Sequence, residues 1–360
     1  MTLSRQISFW IGTFVVLMLF LYVFRDILLP FIAGMGLAYL LDPVADRLER
    51  IGFSRMWATV SILLMFLLLF LLTLIILAPV LGHQLAGFIE RLPSYASALQ
   101  TLIADFADGR ENTLLGMSRE DLQVQMGDLL TQGASWLGKL MKSLWNGGQA
   151  LLSILSLFVV TPVVAFYLLY DWDRMIDSID SWLPRDHLDV IRRLANEMND
   201  GVAGFLRGQM ALCLILAVYY AVGLSLLGLN FGLLIGLTAG FVSFIPYVGA
   251  SLGFVLSVGV ALVQFMPDWV MIVAVFVVFV VGQFLEGNIL QPKLVGQSVG
   301  LHPVWLMFAL FAFGYLFGFV GMLIAVPAAA AVAVLVRFAL TQYLASPLYR
   351  GKDAPATPEE

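Results

Sequence analysis

Four polar side chains between residues 282 and 303 have the clearest capacity for chemistry in this chain. The segment reads GQFLEGNILQPKLVGQSVGLHP and follows a long apolar run. The four side chains are Gln283, Glu286, Asn288 and Gln291. Amides can form hydrogen bonds with a polar solute, and a carboxylate can hold a proton or a cation. An ionisable residue at membrane depth costs about 2.5–3.5 kcal/mol on insertion scales, so Glu286 is a functional-site candidate if it lies at that depth.

A simpler interpretation of Glu286 stays open. The residue directly follows the apolar run 268–285, and Lys293 comes later in the same segment. Glu286 would then mark the cytoplasmic end of a span and pair with Lys293 or with water. In the first interpretation, the four polar side chains instead line a polar path.

A second candidate is the motif FIPYVGASLG at 244–253, which lies within the apolar stretch 231–265. That stretch is too long for one crossing, and Pro246 and Gly249 are the residues that favour a break. Carbonyl groups freed at membrane depth are tolerated only when they are buried in protein or line a wet cavity. The motif is therefore either part of a pathway or an ordinary cytoplasmic hairpin turn, which Tyr247 would anchor.

Glycines at helical spacing indicate close helix packing. Gly232, Gly236 and Gly240 lie four residues apart on one predicted helix face, and Gly314 and Gly318 repeat the spacing. Such faces let another backbone approach closely. The contact predicted here is either within the chain or between subunits.

Patterns that are typical of enzymes lack their required context. Gly249-Ala250-Ser251-Leu252-Gly253 matches G-x-S-x-G, but that motif needs a strand-to-helix elbow and a histidine partner. The chain carries neither a Walker A sequence nor a His/Cys cluster with metal-ligand spacing. We predict no catalytic residue, no cofactor and no metal site.

The composition indicates the kind of elements that position these residues. Apolar residues make up 61% of the chain and charged residues 12%, against a globular mean of about 25% charged. Several apolar runs reach the length of about 20 residues that a membrane-spanning helix needs. We predict an all-α polytopic protein in the lipid bilayer. The formal net charge of −5 is small and spread along the chain, so no nucleic-acid partner is predicted.

The N-terminal part, 1–81, is predicted to form transmembrane segments. They are 7–24, a short or re-entrant 27–41, and 57–81. An extracytoplasmic helical domain, 82–148, follows, with an amphipathic helix that begins at Ser118. The next transmembrane helix, 149–170, is predicted to break at Thr161-Pro162.

The C-terminal part begins with a cytoplasmic helical segment, 171–207, and continues as a transmembrane bundle, 208–344. The predicted spans of the bundle are 208–228, 231–245, 248–265, 268–285, 303–318 and 320–344, and a disordered tail, 345–360, ends the chain. Most of the 19 lysines and arginines then fall on the side that carries the N-terminus. The positive-inside rule therefore predicts that both termini are cytoplasmic.

Five sequence blocks resemble a known family. They are LAYLLDPVADRLER at 37–50, VAFYLLYDWDRM at 164–175, FIPYVG at 244–249, NILQPKLVGQSVGLHP at 288–303, and GFVGMLIAVPAAA at 318–330. Together they make the chain similar to the autoinducer-2 exporter family of bacterial inner-membrane proteins over nearly its whole length.

This resemblance implies about eight transmembrane helices, some of them short, broken or re-entrant, and assembly as a homo-oligomer, with a pentamer as one form. Some members export the quorum-sensing furanone signal, and others resemble sodium/proton antiporters. The family pattern points to these residues here: Asp42-Pro43, Pro246, Tyr247, Gly249, Asn288, Gln291, Pro292 and Gly300.

Three hypotheses of function follow. The first is a secondary exporter of a small polar solute, autoinducer-2 being one candidate, with Glu286 coupling the flux to protons or sodium. The second is a sodium/proton antiporter. The third is an oligomeric envelope scaffold in which the 82–148 domain recruits partners and the spans only anchor it.

Overall fold

The computed structural model describes residues 12, 13, 15, 16, 19–108, 148–296 and 302–350. These residues form helices and turns with no β-strand, which confirms the all-α prediction. Among them, seven helices are long and apolar enough to cross a membrane, and a shorter apolar helix accompanies them. The chain is therefore a polytopic membrane protein.

The helices follow one another in simple order after a 3₁₀ turn at Arg25–Ile27. They are α1 (Leu28–Arg50), α2 (Arg55–Asp108), α3 (Gly148–Ser181), α4 (Leu188–Leu226), α5 (Gly232–Val242), α6 (Val248–Phe265), α7 (Trp269–Leu285), a π-helix (Glu286–Val295), α8 (Pro303–Ala345) and α9 (Pro347–Arg350). A second 3₁₀ turn, Arg185–His187, precedes α4.

The first helices differ in extent from two sequence-based predictions. The segment predicted as short, 27–41, belongs to the 23-residue helix α1, because the charged residues that follow it stay helical and contact Arg55. The break predicted at Thr161-Pro162 is absent, since α3 runs through Pro162. A proline removes only one helical hydrogen bond, and the Thr161 hydroxyl donates to the Pro30 carbonyl at 3.2 Å.

Several predicted boundaries fall inside continuous helices or outside the described residues. α2 continues through residue 82 to Asp108, and α4 continues through residue 208. The amphipathic helix predicted to begin at Ser118 and the tail after residue 350 lie outside the described residues. Of the predicted span 7–24, residues 19–23 are described without gaps and are helical.

The predicted break in 231–265 is present. α5 ends at Val242 and α6 begins at Val248, and Tyr247, just before α6, has a φ of 68°. The predicted start of the next span also agrees, because the Asp268 carboxylate accepts hydrogen bonds from the backbone N–H groups of Val270 and Met271 at the start of α7.

α8 is two helical segments joined at Gly318, as the predicted spans 303–318 and 320–344 require. Gly318 has φ 62° and ψ −140°, a conformation that non-glycine residues rarely adopt. A Cβ added at Gly321 would overlap the Phe313 carbonyl, and one added at Gly314 would lie 3.1 Å from Met322 Cγ. In a straight helix, residues eight positions apart lie about 12 Å apart, so the two segments fold back against each other.

The chain forms two compact units. The first unit comprises Met1–Val60, Val160–Gln209 and Pro292–Glu360, and the second comprises Ser61–Val159 and Met210–Gln291. In the second unit, α4 to α7 pack around a buried apolar cluster that includes Leu224, Ile235, Val260 and Val275. This cluster supports the helices that carry the predicted polar residues.

Candidate functional site

The C-terminal end of α7 positions Gln283 and Glu286. α7 is almost wholly apolar to Leu285, and from Glu286 the chain continues as a ten-residue π-helix to Val295. π-helical turns are rare and occur frequently at functional sites. Pro292 lies inside this π-helix and removes one of its backbone donors. The sequence pattern did not predict a π-helix.

A chain of hydrogen bonds joins three polar side chains at this junction. Gln283 Nε2 donates to the Tyr220 hydroxyl at 3.1 Å and to Glu286 Oε2 at 3.0 Å. We call Tyr220, Gln283 and Glu286 the glutamine triad. Because both N–H groups of the Gln283 amide are used, its carbonyl oxygen is left as an acceptor.

Tyr220 is held in place by an aromatic ring and a glycine. Its side chain is 1% exposed, and its ring stacks on that of Phe279 with centroids 5.4 Å apart and an interplanar angle of 19°. A Cβ added at Gly282 would overlap the Tyr220 ring, so the glycine makes room for it. Sequence reasoning missed Tyr220 and Gly282. The available signal was a tyrosine hydroxyl within an apolar run, since a buried hydroxyl needs a partner.

Glu286 has an amide as its partner rather than a lysine. Its carboxylate is half-buried, and Lys293 is exposed further along the π-helix. Within the described part of the chain, no lysine or arginine forms an ion pair with Glu286, so the pairing with Lys293 that the simpler interpretation proposed is not observed. A carboxylate beside an amide and an apolar helix keeps an oxygen available to a proton or a cation.

Three other predicted residues of the 282–303 segment lie at the protein surface. Asn288, Gln291 and Pro292 are exposed. The Asn288 amide donates to the Phe284 carbonyl at 3.2 Å, which leaves its oxygen free as an acceptor. Gly300 lies outside the described residues.

The broken hairpin forms a compact turn of its own. Tyr247 is 50% exposed, and the Ser251 hydroxyl donates to its carbonyl at 2.8 Å. A Cβ added at Gly249 would overlap the Ser243 backbone, so Gly249 closes the turn. In the described residues no hydrogen bond joins Pro246, Tyr247 or Gly249 to the glutamine triad.

The predicted packing glycines divide into two groups. A Cβ added at Gly236 or Gly240 would overlap the backbone of Ala221 or Ala217 on α4, and one at Gly232 would lie 2.9 Å from the Leu224 carbonyl carbon. These three glycines therefore let α5 lie directly on α4. Gly318 was also predicted as a packing glycine, but a Cβ there would meet no described atom within 4 Å. Gly318 allows the break in α8 instead.

A second polar cluster lies in the first unit and centres on Arg55. Its guanidinium donates to Asp42 and Asp46 at 2.9 Å each, to Glu49 at 3.0 Å, and to the Leu169 carbonyl at 2.8 Å. We call Arg55 and its three carboxylates the Arg55 clamp. The family pattern indicated Asp42, whereas the rest of the clamp was missed. The three carboxylates share one face of α1, which the helical period alone could have shown.

Comparison with known proteins agrees with this architecture. A family model described as "AI-2E family transporter" matches residues 11–341. The chain is 29% identical over 348 residues to the "Putative transport protein YrrI" of Bacillus subtilis, covering 92% of this chain and 95% of the relative. It is 30% identical over 326 residues to the "Putative permease PerM" of Escherichia coli, covering 88% of each. A second Bacillus subtilis relative, "Putative transport protein YueF", is 28% identical over 308 residues.

Proposed function

The chain belongs to the AI-2E transporter family, and from that premise we propose that it is a secondary transporter that exports a small polar solute. A role in membrane transport follows from the family. The solute class, the direction and the coupling are our proposal. Its bacterial relatives and its apolar helices fit a multi-pass protein of a bacterial membrane, and we propose the inner membrane, with both termini cytoplasmic.

One observation carries the proposal, namely the glutamine triad at the junction of α7 and the π-helix. A carboxylate, an amide and a buried hydroxyl are hydrogen-bonded to one another beside an otherwise apolar helix. Gln283 and Glu286 lie within the candidate membrane span Trp269–Val295, and polar groups inside such spans are costly and are typical of ion and substrate pathways. A helix that changes its hydrogen-bonding pattern there also supplies backbone acceptors, as the broken helices of transporters do.

Each residue of the predicted path then has a role. Glu286 binds the coupling proton or sodium ion, and Gln283 holds its carboxylate in position. Asn288 and Gln291 form hydrogen bonds with hydroxyl groups of the solute, and Pro292 maintains the distorted helix that carries both residues. In the hairpin, Pro246 and Gly249 hold the break that Tyr247 borders.

The solute that this chemistry suits is small and rich in hydroxyl groups, and the furanone signal autoinducer-2 is one such molecule. Amide side chains recognise hydroxyls by donating and accepting hydrogen bonds. A second candidate function, sodium/proton antiport, is favoured by the Glu286 carboxylate, which lacks a cationic partner in the described residues. We further propose that the protein works as a homo-oligomer, with a pentamer as one form.

Flux measurements in liposomes test the proposal. Purified protein is reconstituted into liposomes with or without the solute inside, and proton or sodium gradients are imposed. A pH-sensitive dye reports ion flux, and the amount of solute in the external medium reports efflux, for the wild type, Glu286→Gln and Gln291→Ala. Glu90→Gln is the matched control, because Glu90 is an exposed carboxylate on α2. We expect Glu286→Gln to reduce ion flux to the level of empty liposomes, Gln291→Ala to reduce solute efflux together with the ion flux that the solute stimulates, and Glu90→Gln to match the wild type.

The pattern of results separates the three hypotheses. Ion flux that needs Glu286 but no solute would favour the antiporter. Wild-type flux in Glu286→Gln would refute the coupling role of that residue. The scaffold hypothesis would replace transport under two conditions. The wild type would move neither ions nor solute, and deletion of 82–148 alone would reproduce in cells the effect of removing the whole protein.

A further inference from the structure

A polar cleft in the first unit carries an inference beyond the transport path. The cleft has a volume of about 60 Å³ and is lined by α1, α3 and the first half of α4. A cavity of this size holds only the charged groups of a ligand, and the rest of the ligand extends into solvent because the cleft opens at the exposed Arg207. Its polar and aromatic lining comprises Tyr39, Asp42, Trp172, Asn199 and Arg207, and the rest of its wall is apolar.

One wall of the cleft is anionic. Asp42 belongs to the Arg55 clamp, in which three carboxylates share a single guanidinium. Arg55 bonds only one oxygen of Asp42, Oδ1. The other oxygen remains available to a cationic group in the cleft, and the excess of carboxylates favours such a group.

The remaining walls offer a cation and an aromatic face. Arg207 is exposed and has no ion-pair partner among the described residues. The Asn199 side-chain oxygen accepts the Tyr39 hydroxyl at 3.0 Å, so the Asn199 amide N–H groups are free to donate. Trp172 meets the Tyr39 ring edge-on, with centroids 5.7 Å apart and an interplanar angle of 69°, which fixes the indole in the cleft.

We propose that this cleft binds a small zwitterion, with its ammonium against Asp42 and Trp172 and its anionic group on Arg207 and the Asn199 amide. A simple cation would leave Arg207 opposed to it, and a simple anion would face the Asp42 carboxylate. A molecule that carries both charges complements both walls. Ammonium groups also bind favourably over the face of an indole ring.

Two sources supply this chemistry, a free solute and the headgroup of a zwitterionic lipid. The probe is therefore sn-glycero-3-phosphoethanolamine, which carries one ammonium and one phosphodiester and has no acyl chain. Isothermal titration calorimetry of the full chain in detergent measures its binding. Ethanolamine and glycerol 3-phosphate, which each carry one half of the probe's charge pattern, are titrated in the same way. We expect saturable binding of the probe and at least about tenfold weaker binding of each half, since one charge-assisted hydrogen bond contributes that much.

Variants locate the binding. Arg207→Gln and Trp172→Leu should each weaken binding of the probe by about tenfold or more. Arg174→Gln is the matched control, because Arg174 is an arginine of α3 that lies outside the cleft lining and whose side chain is 79% exposed. It should bind like the wild type. Circular dichroism and gel filtration check that the variants keep their helical content and size.

A competition arm distinguishes the sources. Loss of probe binding in mixed micelles with phosphatidylethanolamine, but not with phosphatidylglycerol, would assign the site to a lipid headgroup, and unchanged binding would assign it to a free solute. The proposal is overturned if the wild type does not bind the probe, if ethanolamine alone binds equally well, or if both cleft variants bind like Arg174→Gln.

Discussion

Replacing Arg55 with methionine should destabilise the protein by about 3 kcal/mol. Methionine keeps much of the side chain's length but removes every donor. The Arg55 side chain is 17% exposed, whereas its carboxylate partners are 35–47% exposed. Half-exposed ion pairs contribute only about 0.2–1 kcal/mol each, so the three together give roughly 1–2 kcal/mol. The bond to the carbonyl of Leu169, which is 1% exposed, adds about 1.5 kcal/mol because a charged donor is lost from a buried acceptor.

Equilibrium unfolding in mixed micelles, followed by circular dichroism, measures the free energy of unfolding. Arg55→Lys should lose about half as much as Arg55→Met, since a single ammonium cannot reach all four acceptors of the guanidinium. The control is Arg174→Met. Arg174 is 79% exposed and lies 3.7 Å from Asp171, so its replacement should change the free energy by no more than about 0.5 kcal/mol.

A second substitution tests the cause. Asp46→Asn should destabilise the wild type, because it removes a partner of Arg55. In the Arg55→Met background the same change should stabilise, because it removes one of three neighbouring carboxylates that then repel each other. The clamp does not stabilise the fold in the way described if Asp46→Asn changes the free energy of unfolding in the same direction in both backgrounds. The same conclusion follows if Arg55→Met has the same free energy of unfolding as the wild type.

Two glycines give further predictions on stability, measured in the same unfolding assay. Gly236→Ala should lower the free energy of unfolding by about 1–3 kcal/mol because its methyl group would overlap the Ala221 backbone. The control is Gly259→Ala, where a methyl group meets nothing within 4 Å, and it should be neutral or stabilising by up to about 1 kcal/mol. Equal effects at both positions would contradict the close contact of α5 with α4. Gly318→Ala should cost about 1–3 kcal/mol through backbone strain at φ 62°, more than Gly314→Ala, and an equal or smaller cost would contradict the break in α8.

The breaks in the apolar helices show which features the sequence could predict. A proline and a glycine in an overlong apolar run predicted the turn between α5 and α6. The predicted spans 303–318 and 320–344 meet at the break in α8, although Gly318 itself was predicted only as a packing residue. Thr161-Pro162 carried a similar signal, but there α3 continues, and the Thr161 hydroxyl bonds the Pro30 carbonyl, 131 positions away. The outcome at a proline thus depends on a tertiary contact that local pattern does not contain.

The length of α1 was underestimated for a related reason. The predicted segment stopped at Leu41, directly before a run of charged residues. The carboxylates of that run all pair with Arg55 at the start of the next helix, so the helix continues through them. Charge counts along one segment cannot show that the partner lies on another.

The glutamine triad combines both lessons. Gln283 and Glu286 are three positions apart and were recognisable as a pair on one helix face, but Tyr220 comes from α4, 63 positions earlier. Its presence depends on a shape match, because the ring fits only where residue 282 lacks a side chain. A glycine at the end of an apolar helix is typical of a helix-packing position, and a tyrosine in an apolar run is typical of a buried core residue. The contact between the two helices gives Gln283 a buried hydroxyl on one side and a carboxylate on the other, and it makes this polar residue part of a hydrogen-bonded network.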